Sequence, residues 1–354
     1  MPTTHLTLLV PELLWPEPED RNVLDDLECP ALTTLLARGR LARRAPQSPE
    51  ATLADLFGHT ENAPYGAFRR LGEREIPTDT EDACWIAADP VHLRFHQERL
   101  ILADGATLGI TIDEAALLAE GINRHFADIG HVHVAAPERW YLKLSGQSAL
   151  AGFSPPPLSA VTGRSIERLL PEIMQDRAVR GLLNEIQTFL HAHPVNQQRE
   201  DKGLLPINSL WLWGAGRLPP RLESDFDGVW STHPLAIGLA RAAGVSTHPV
   251  PVDAATFFAH VAPDTRQLVE LDDLASPVQY ENGNAYRKTI TRLEQCWFVP
   301  LQEALAAGRI KQLRIEAATA YATVTWESSR HDQWKFWRRP QPLTQIAKRL
   351  ADSQ

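Results

Sequence analysis

Apolar and polar positions along the chain follow two rhythms. Leu6-Thr7-Leu8-Leu9-Val10 is a short, nearly continuous apolar run of the kind that fills strands covered on both faces. Pro30 to Gly39 (PALTTLLARG) has helical spacing, opened by proline in its first turn and closed by glycine. With the Pro16 and Pro18 loop between them, these two segments predict a β-loop-α unit.

The pattern changes between about Asp82 and Pro157. Arg99 to Asp104 reads as a strand. Thr111-Ile112-Asp113-Glu114 carries a capping-box signature and predicts a helix running to about Ile129. His131 to Ala135 and Trp140 to Leu144 alternate apolar and polar side chains, as half-buried strands do. The segment therefore reads as a small inserted α+β domain, with Ser154-Pro155-Pro156-Pro157 marking the return crossing.

Beyond it, Gln175 to His191 has helical spacing. Strand-like runs at Ser209 to Trp213, Val229 to Thr232, Val245 to Val252 and Leu268 to Leu271 alternate with helical runs at Pro234 to Ala243 and Tyr286 to Ala307. Alternating strand and helix predicts a sheet rich in parallel strands. No internal repeat or low-complexity tract interrupts it.

Composition narrows the picture. A chain of 354 residues with 44% hydrophobic and 22% charged residues has enough apolar surface for a folded core, and its length suits two domains or one domain with an insertion. A net charge of -9 argues against coating nucleic acid or an anionic membrane, so any basic site is local. Cys29, Cys84 and Cys296 are too few and too scattered for a disulfide framework or zinc site, which suits a reducing cytoplasm. The run His5 to Leu14 is short, contains Pro11 and leads into acidic residues, so a buried strand is expected there, not a signal peptide or membrane anchor.

The stretch His193-Pro194-Val195-Asn196-Gln197-Gln198-Arg199, then Gly203, then Asn208 to Gly216 (NSLWLWGAG) resembles the archaeal-type cofactor-independent phosphoglycerate mutases. Pro30 to Gly39, Pro90 to Phe126, and Ile237-Gly238-Leu239-Ala240 with Gly244 support the resemblance in the same order. It implies membership of the alkaline phosphatase superfamily, with bacterial RpfE-type regulatory proteins as the nearest look-alikes. The implied fold is a three-layer α/β sandwich with a mainly parallel central sheet. Residues 1–81 and 158–354 form its core, and residues 82–157 the small inserted α+β domain.

The resemblance also implies two divalent metals held by Asp and His, and a serine that is transiently phosphorylated. This chain departs at each of those places. An Asp-Gly is expected after the first strand, and Val10 is followed by Pro11-Glu12. The Ser-Asp pair falls at about Pro49-Glu50, with Ser48 as a neighbour. Asp272 to Pro277 and Thr319-Ala320-Tyr321 stand where Asp and His ligands belong, and no histidine lies between His260 and His331.

The expectation is a binding or regulatory protein without a metal cofactor. The alternative is an active phosphomutase or phosphatase using Ser48, Glu12 and Glu50, with His331 as a ligand to manganese or magnesium. By the resemblance Asn196 and Arg199 face a cleft, where a small anionic metabolite would bind, with Gly214 and Gly216 beside it; both polar residues could instead pin their loop. A protein partner is the other expected ligand, and no extended nucleic-acid or membrane binding is expected.

His92 with His96, and His131 with His133, are histidine pairs lacking a third ligand, which favours structural or surface roles. Trp334-Lys335-Phe336-Trp337-Arg338-Arg339 mixes rings with cations; docking of the rings on the core is expected, and stacking on bases or insertion at a membrane interface are the alternatives. The bare GxG of Gly214 and Gly216 precedes Pro219-Pro220, which argues against a phosphate-cradling helix start.

Overall fold

The computed structural model describes residues 4–59, 63–74, 83–96, 99–146, 148–162 and 175–352. Its strands are β1 (Thr4–Leu9), β2 (Arg40–Arg44), β3 (Trp85–His96), β4 (Arg99–Asp104), β5 (Gly130–Ala136), β6 (Arg139–Leu144), β7 (Ser209–Gly216), β8 (Gly228–Trp230), β9 (Ser246–His248), β10 (Arg266–Glu270), β11 (Ile310–Ala318) and β12 (Thr323–Ser329). The chain forms two compact units. One contains Met1–Gly58, Glu223–Thr232 and Ala243–Gln354, the other His59–Leu222 and His233–Ala242.

The first unit is built on a seven-stranded sheet in the order β2-β12-β11-β1-β10-β8-β9. The five strands from β11 to β9 run parallel, and β12 and β2 add antiparallel at one edge. The mainly parallel central sheet is as expected. Leu6, Leu8, Val269, Leu313, Ile315, Val324 and Trp326 project from one face into a core shared with helices Pro30–Arg38, Ala254–His260, Gly283–Leu293, Val299–Ala306 and Leu343–Ala351. The alternate residues put His5, Thr7, Arg314 and Glu316 beside Leu9 and Leu268 on the other face, where Arg44 pairs with Asp55 of helix Pro49–Leu56.

The expected helix Tyr286 to Ala307 runs from Gly283 to Ala306, with its middle turn Glu294–Phe298 widened into π geometry. That turn directs the Glu294 carboxylate onto the start of helix Pro30–Arg38, where it accepts from the amides of Ala31 at 2.6 Å and Leu32 at 3.0 Å. Cys29 at the cap position makes no side-chain cap bond, so the end of that helix is satisfied from 263 residues away.

The second unit carries an antiparallel sheet in the order β4-β3-β6-β5, with β7 paired to β3. Helices Ile112–His125 and Arg177–His191 cover it through Leu118, Ile122, Leu183 and Ile186. The capping box at Thr111 and Glu114 forms as expected, and its helix stops at His125, four residues before Ile129. This unit is wider than an insertion over 82–157. It keeps β7, expected in the parallel sheet, because the apolar run Ser209 to Trp213 signals burial on two faces and carries no sign of strand direction. The turn at Ser154 to Pro157 is no return crossing: Trp211 Nε1 of β7 donates to the Pro156 carbonyl at 3.0 Å within the same unit.

Helices Tyr65–Gly72 and Pro234–Ala242 meet through glycine. A Cβ on Gly238 would lie 1.7 Å from the Phe68 carbonyl oxygen, and one on Gly72 would lie 1.7 Å from that of Pro234. Only a missing side chain permits this approach. The two histidine pairs lie on strands. Pro90, His92 and His96 lie in β3, and His92 Nδ1 is 2.8 Å from the Pro206 carbonyl oxygen. The His131 and His133 rings pack edge to face at 4.8 Å, and His133 packs on Trp85.

Gly238→Ala is expected to lower the denaturant midpoint, with a loss of about 1 to 3 kcal/mol from overpacking. Gly181→Ala, in helix Arg177–His191 where an added Cβ meets nothing within 4 Å, should raise stability by about 0.5 to 1 kcal/mol. Equal unfolding curves for wild type and Gly238→Ala would refute the close approach.

Candidate functional site

Parallel α/β sheets place ligands beyond the carboxyl ends of their strands. In the first unit, β1, β8 and β10 converge there on side chains that carry charge or hydroxyls. Past the end of β1 the chain follows β11, with the Val10 amide donating to the Glu316 carbonyl and the Glu12 amide to that of Ala318, both at 2.8 Å. Glu12 has a φ of +56°, a left-handed conformation that glycine adopts freely and other residues adopt at about 1 to 2 kcal/mol. The backbone thus turns through a left-handed residue just after β1, with Pro11 and Glu12 supplying the side chains there.

Glu270 ends β10 and is buried. Its Oε2 accepts from Ser231 Oγ, just past β8, at 2.5 Å. Burial pushes the Glu270 carboxyl up to about 8, helped by the negative charges of Asp272 and Glu50. Asp272 is raised as well, by burial and then by Asp273. Tyr321 donates to the Pro16 carbonyl, and burial with Glu17 and Glu12 nearby lifts its phenol to about 12. Asp272 is itself exposed, whereas Glu270 is buried, stays protonated near neutral pH and shares hydrogen bonds instead of carrying charge.

Ser48 and Glu50 flank the start of helix Pro49–Leu56. Ser48 is its cap, with Oγ accepting from the Ala51 amide at 3.1 Å, and Glu50 is buried in the first turn. Glu50 and Glu12 therefore lie at the strand-end site. His331 does not. It is exposed in the short turn after β12, whose Ser329 pairs with Gln312 near the start of β11. Six residues of strand, about 20 Å, separate that pairing from Ala318 beside Glu12. Among the described residues no group of three or more His, Cys, Asp or Glu side chains is placed to hold a metal ion.

Asn196 and Arg199 lie in the second unit and are spent on its fold. Asn196 donates to the carbonyls of Leu190 and Ile207 and accepts from the Ile207 amide, which uses its whole amide group. Arg199 is completely buried, donating to the carbonyls of Leu205 and Leu108 and pairing with Glu114 at 2.7 Å. Both residues pin the loop before β7, and neither is left to face a ligand. Gly214 and Gly216 let the end of β7 approach Tyr65 and Pro64: a Cβ on either would lie 2.6 Å from the Cβ of those residues. Close packing accounts for both glycines.

Sequence reasoning overlooked Glu270 and Ser231. The available signal was a carboxylate closing the apolar run Leu268-Val269, since an acid inside such a run is either paired or protonated. On the same face, toward the starts of the strands, lies a polar cavity of about 240 Å³ lined by Arg44, Asp55, Asp225, Arg266, Arg314 and Glu327. Its charges balance among themselves.

Glu270 ionises in the unfolded chain above about pH 4.5 and in the fold only above about pH 8. Its burial therefore costs little below pH 4.5, progressively more up to pH 8, and its full penalty beyond. Glu270→Gln, melted beside wild type in chelator at pH 4.5, 7 and 9, should match it at the lowest pH and exceed it by a few kcal/mol, on the order of one per shifted unit, at the highest. A stability difference independent of pH would refute the buried, protonated state.

No family model matches the chain. In sequence it is similar to the 2,3-bisphosphoglycerate-independent phosphoglycerate mutase of Methanosarcina mazei, at 26% identity over 209 residues covering 56% of this chain and 51% of the relative. It is also similar to the probable enzyme of that name from Geobacter sulfurreducens, at 26% over 242 residues, 64% and 58% of the two chains. The chain thus spans between half and three fifths of the length of these curated relatives. In structure it matches the PH0037 protein of Pyrococcus horikoshii with a TM-score of 0.56 over 93% of this chain and 88% of the other, at 13% identity, which shows a shared fold. The chain is an α/β protein related at a distance to the cofactor-independent phosphoglycerate mutases.

Proposed function

We propose that the chain is a phosphoglycerate mutase-like protein that has lost both the dinuclear metal site and the phosphorylated nucleophile, and that it acts as a binding or regulatory protein. Kinship with the RpfE-type regulatory proteins belongs to this proposal, as does a cytoplasmic setting. Free Cys29, Cys84 and Cys296 support that setting. Among the described residues no helix is long and apolar enough to cross a membrane.

The observation that carries the reading is what occupies the two decisive positions. Proline, which has no ligating side chain, stands where the first metal-binding Asp is expected, and the serine beside the nucleophile position caps a helix with its hydroxyl. The carboxyls left at the strand ends, Glu12, Glu50, Glu270 and Asp272, support binding of a neutral or hydrogen-bonding group more than capture of two cations. Hard divalent ions need several ionised oxygens converging on one point.

Purified protein is expected to carry well under one manganese, zinc or magnesium per chain by elemental analysis, and not to interconvert 2- and 3-phosphoglycerate with either metal added. Ser48→Ala should cost about 1 kcal/mol of stability through the lost cap and change no turnover. Two tightly bound metals, or a metal-dependent turnover abolished by Ser48→Ala, would establish the rival reading of an active enzyme built on Ser48, Glu12 and Glu50.

A further inference from the structure

The aromatic and basic segment after β12 does not dock on the core. Trp334, Phe336 and Trp337 are 73%, 76% and 66% exposed. Three such rings within four residues expose apolar surface of the kind that marks interaction sites. Their backbone is nevertheless held in place. Ser329 donates to Asp332 through its amide at 2.8 Å and its hydroxyl at 2.7 Å, and Asp332 pairs with Lys335. Arg38 donates to the Gln333 carbonyl at 2.8 Å, and Arg338 to that of Gly39 at 3.1 Å. Phe336 and Trp337 pack edge to face at 5.4 Å. The rings are presented on a fixed turn.

The contact with Gly39 brings this turn to the start of β2. That strand ends the seven-stranded sheet, pairing only with β12, and among the described residues no strand covers its outer edge. Its sequence Arg40-Leu41-Ala42-Arg43-Arg44 buries no side chain, and Leu41 is 42% exposed. Arg40 and Arg339 are exposed and form no ion pair among the described residues. An open edge invites another strand, and arginines on it repel a cationic one while attracting an acidic one.

We propose that β2 and the turn Trp334–Arg339 form a docking site for an extended acidic segment of a partner protein. Its backbone adds to the outer edge of β2, its carboxylates meet Arg40 and Arg339, and its apolar side chains cover Trp334, Phe336 and Trp337. The open strand edge favours a peptide over bases or lipid, because only another backbone can use its row of amides and carbonyls. Trp and Arg are also the residues that dominate protein interfaces. The rest of a chain with net charge -9 repels an acidic partner, so attraction is confined to this patch. The site stands whether or not the strand-end acids retain any catalytic role.

The test pans a random dodecapeptide phage library on the full chain and measures the best selected peptide, fluorescently labelled, by anisotropy. Selected peptides should alternate Asp or Glu with apolar residues. Binding should weaken at least tenfold in Trp334→Ala/Trp337→Ala and in Arg40→Glu, weaken severalfold between 50 and 300 mM salt, and protect the amides of residues 40–44 from hydrogen exchange. Because these side chains are exposed, the variants should melt with wild type; Phe336→Ala replaces any that does not. Failure to select any peptide, selected peptides without acidic residues, or binding indifferent to these variants overturns the proposal. So does ring-dependent binding of oligo-dT or phosphatidylserine vesicles with no peptide bound.

Discussion

The central sheet depends on one buried carboxylate. Glu316, in the middle of the sheet face that carries Arg44 and Arg314, is fully buried and accepts from Arg44 at 2.5 Å, from Arg314 at 2.8 and 3.0 Å, and from Thr325 at 2.7 Å. The two guanidiniums are 41% and 35% exposed, so the charge is neutralised inside while the cations keep part of their hydration. That arrangement avoids much of the desolvation that makes fully buried ion pairs costly. It also holds β2, which contributes nothing to the core and is kept by its backbone ladder and by Arg44, itself paired with Asp55 of the neighbouring helix at 2.7 Å. The edge on which the proposed docking surface rests is therefore secured from the inner face of the sheet.

The second unit solves a similar problem with both partners buried. Arg69 and Asp89 form two hydrogen bonds at 2.7 and 2.9 Å with both side chains almost fully buried, and Trp213 Nε1 adds a third donor to Asp89 at 2.8 Å. Tyr141 and Trp213 lie against the guanidinium at 5.3 and 5.4 Å. The pair ties helix Tyr65–Gly72 to β3 and β7 by direction as well as by apolar contact. Each unit thus uses a differently solvated arginine cluster to orient strands whose apolar faces alone would leave register less well specified.

Much of this was legible in the chain. β1, helix Pro30–Arg38, the capping box at Thr111 and Glu114, and the β5-β6 hairpin were readable because local periodicity and cap chemistry set them. What stayed hidden depends on distant partners. Arg40 to Arg44 has no apolar alternation and becomes a strand only because β12 offers its edge. Asn196 and Arg199 belong to a stretch that resembles a ligand-binding family, and no local rule distinguishes an arginine aimed at a substrate from one aimed at three groups of its own fold. The rings at Trp334 to Trp337 were expected to be inside on composition alone, which misleads when short polar bonds to Arg38, Gly39 and Asp332 fix a turn outward.

The position of β1 has a consequence for synthesis of the protein. β1 precedes both of its sheet neighbours by a long stretch of chain, pairing on one side with β10 near residue 268 and on the other with β11 near residue 314. Leu6 and Leu8 pair with Gln267 and Val269 of β10 and with Leu313 and Ile315 of β11, so they have neither strand neighbour until residues 266–270 have left the ribosome, by which point the second unit has all of its own sequence. Late pairing of this kind is slow and leaves an apolar segment open to wrong partners. A holding chaperone on β1 would suit the nascent chain, and its antiparallel unit should acquire structure before the parallel sheet.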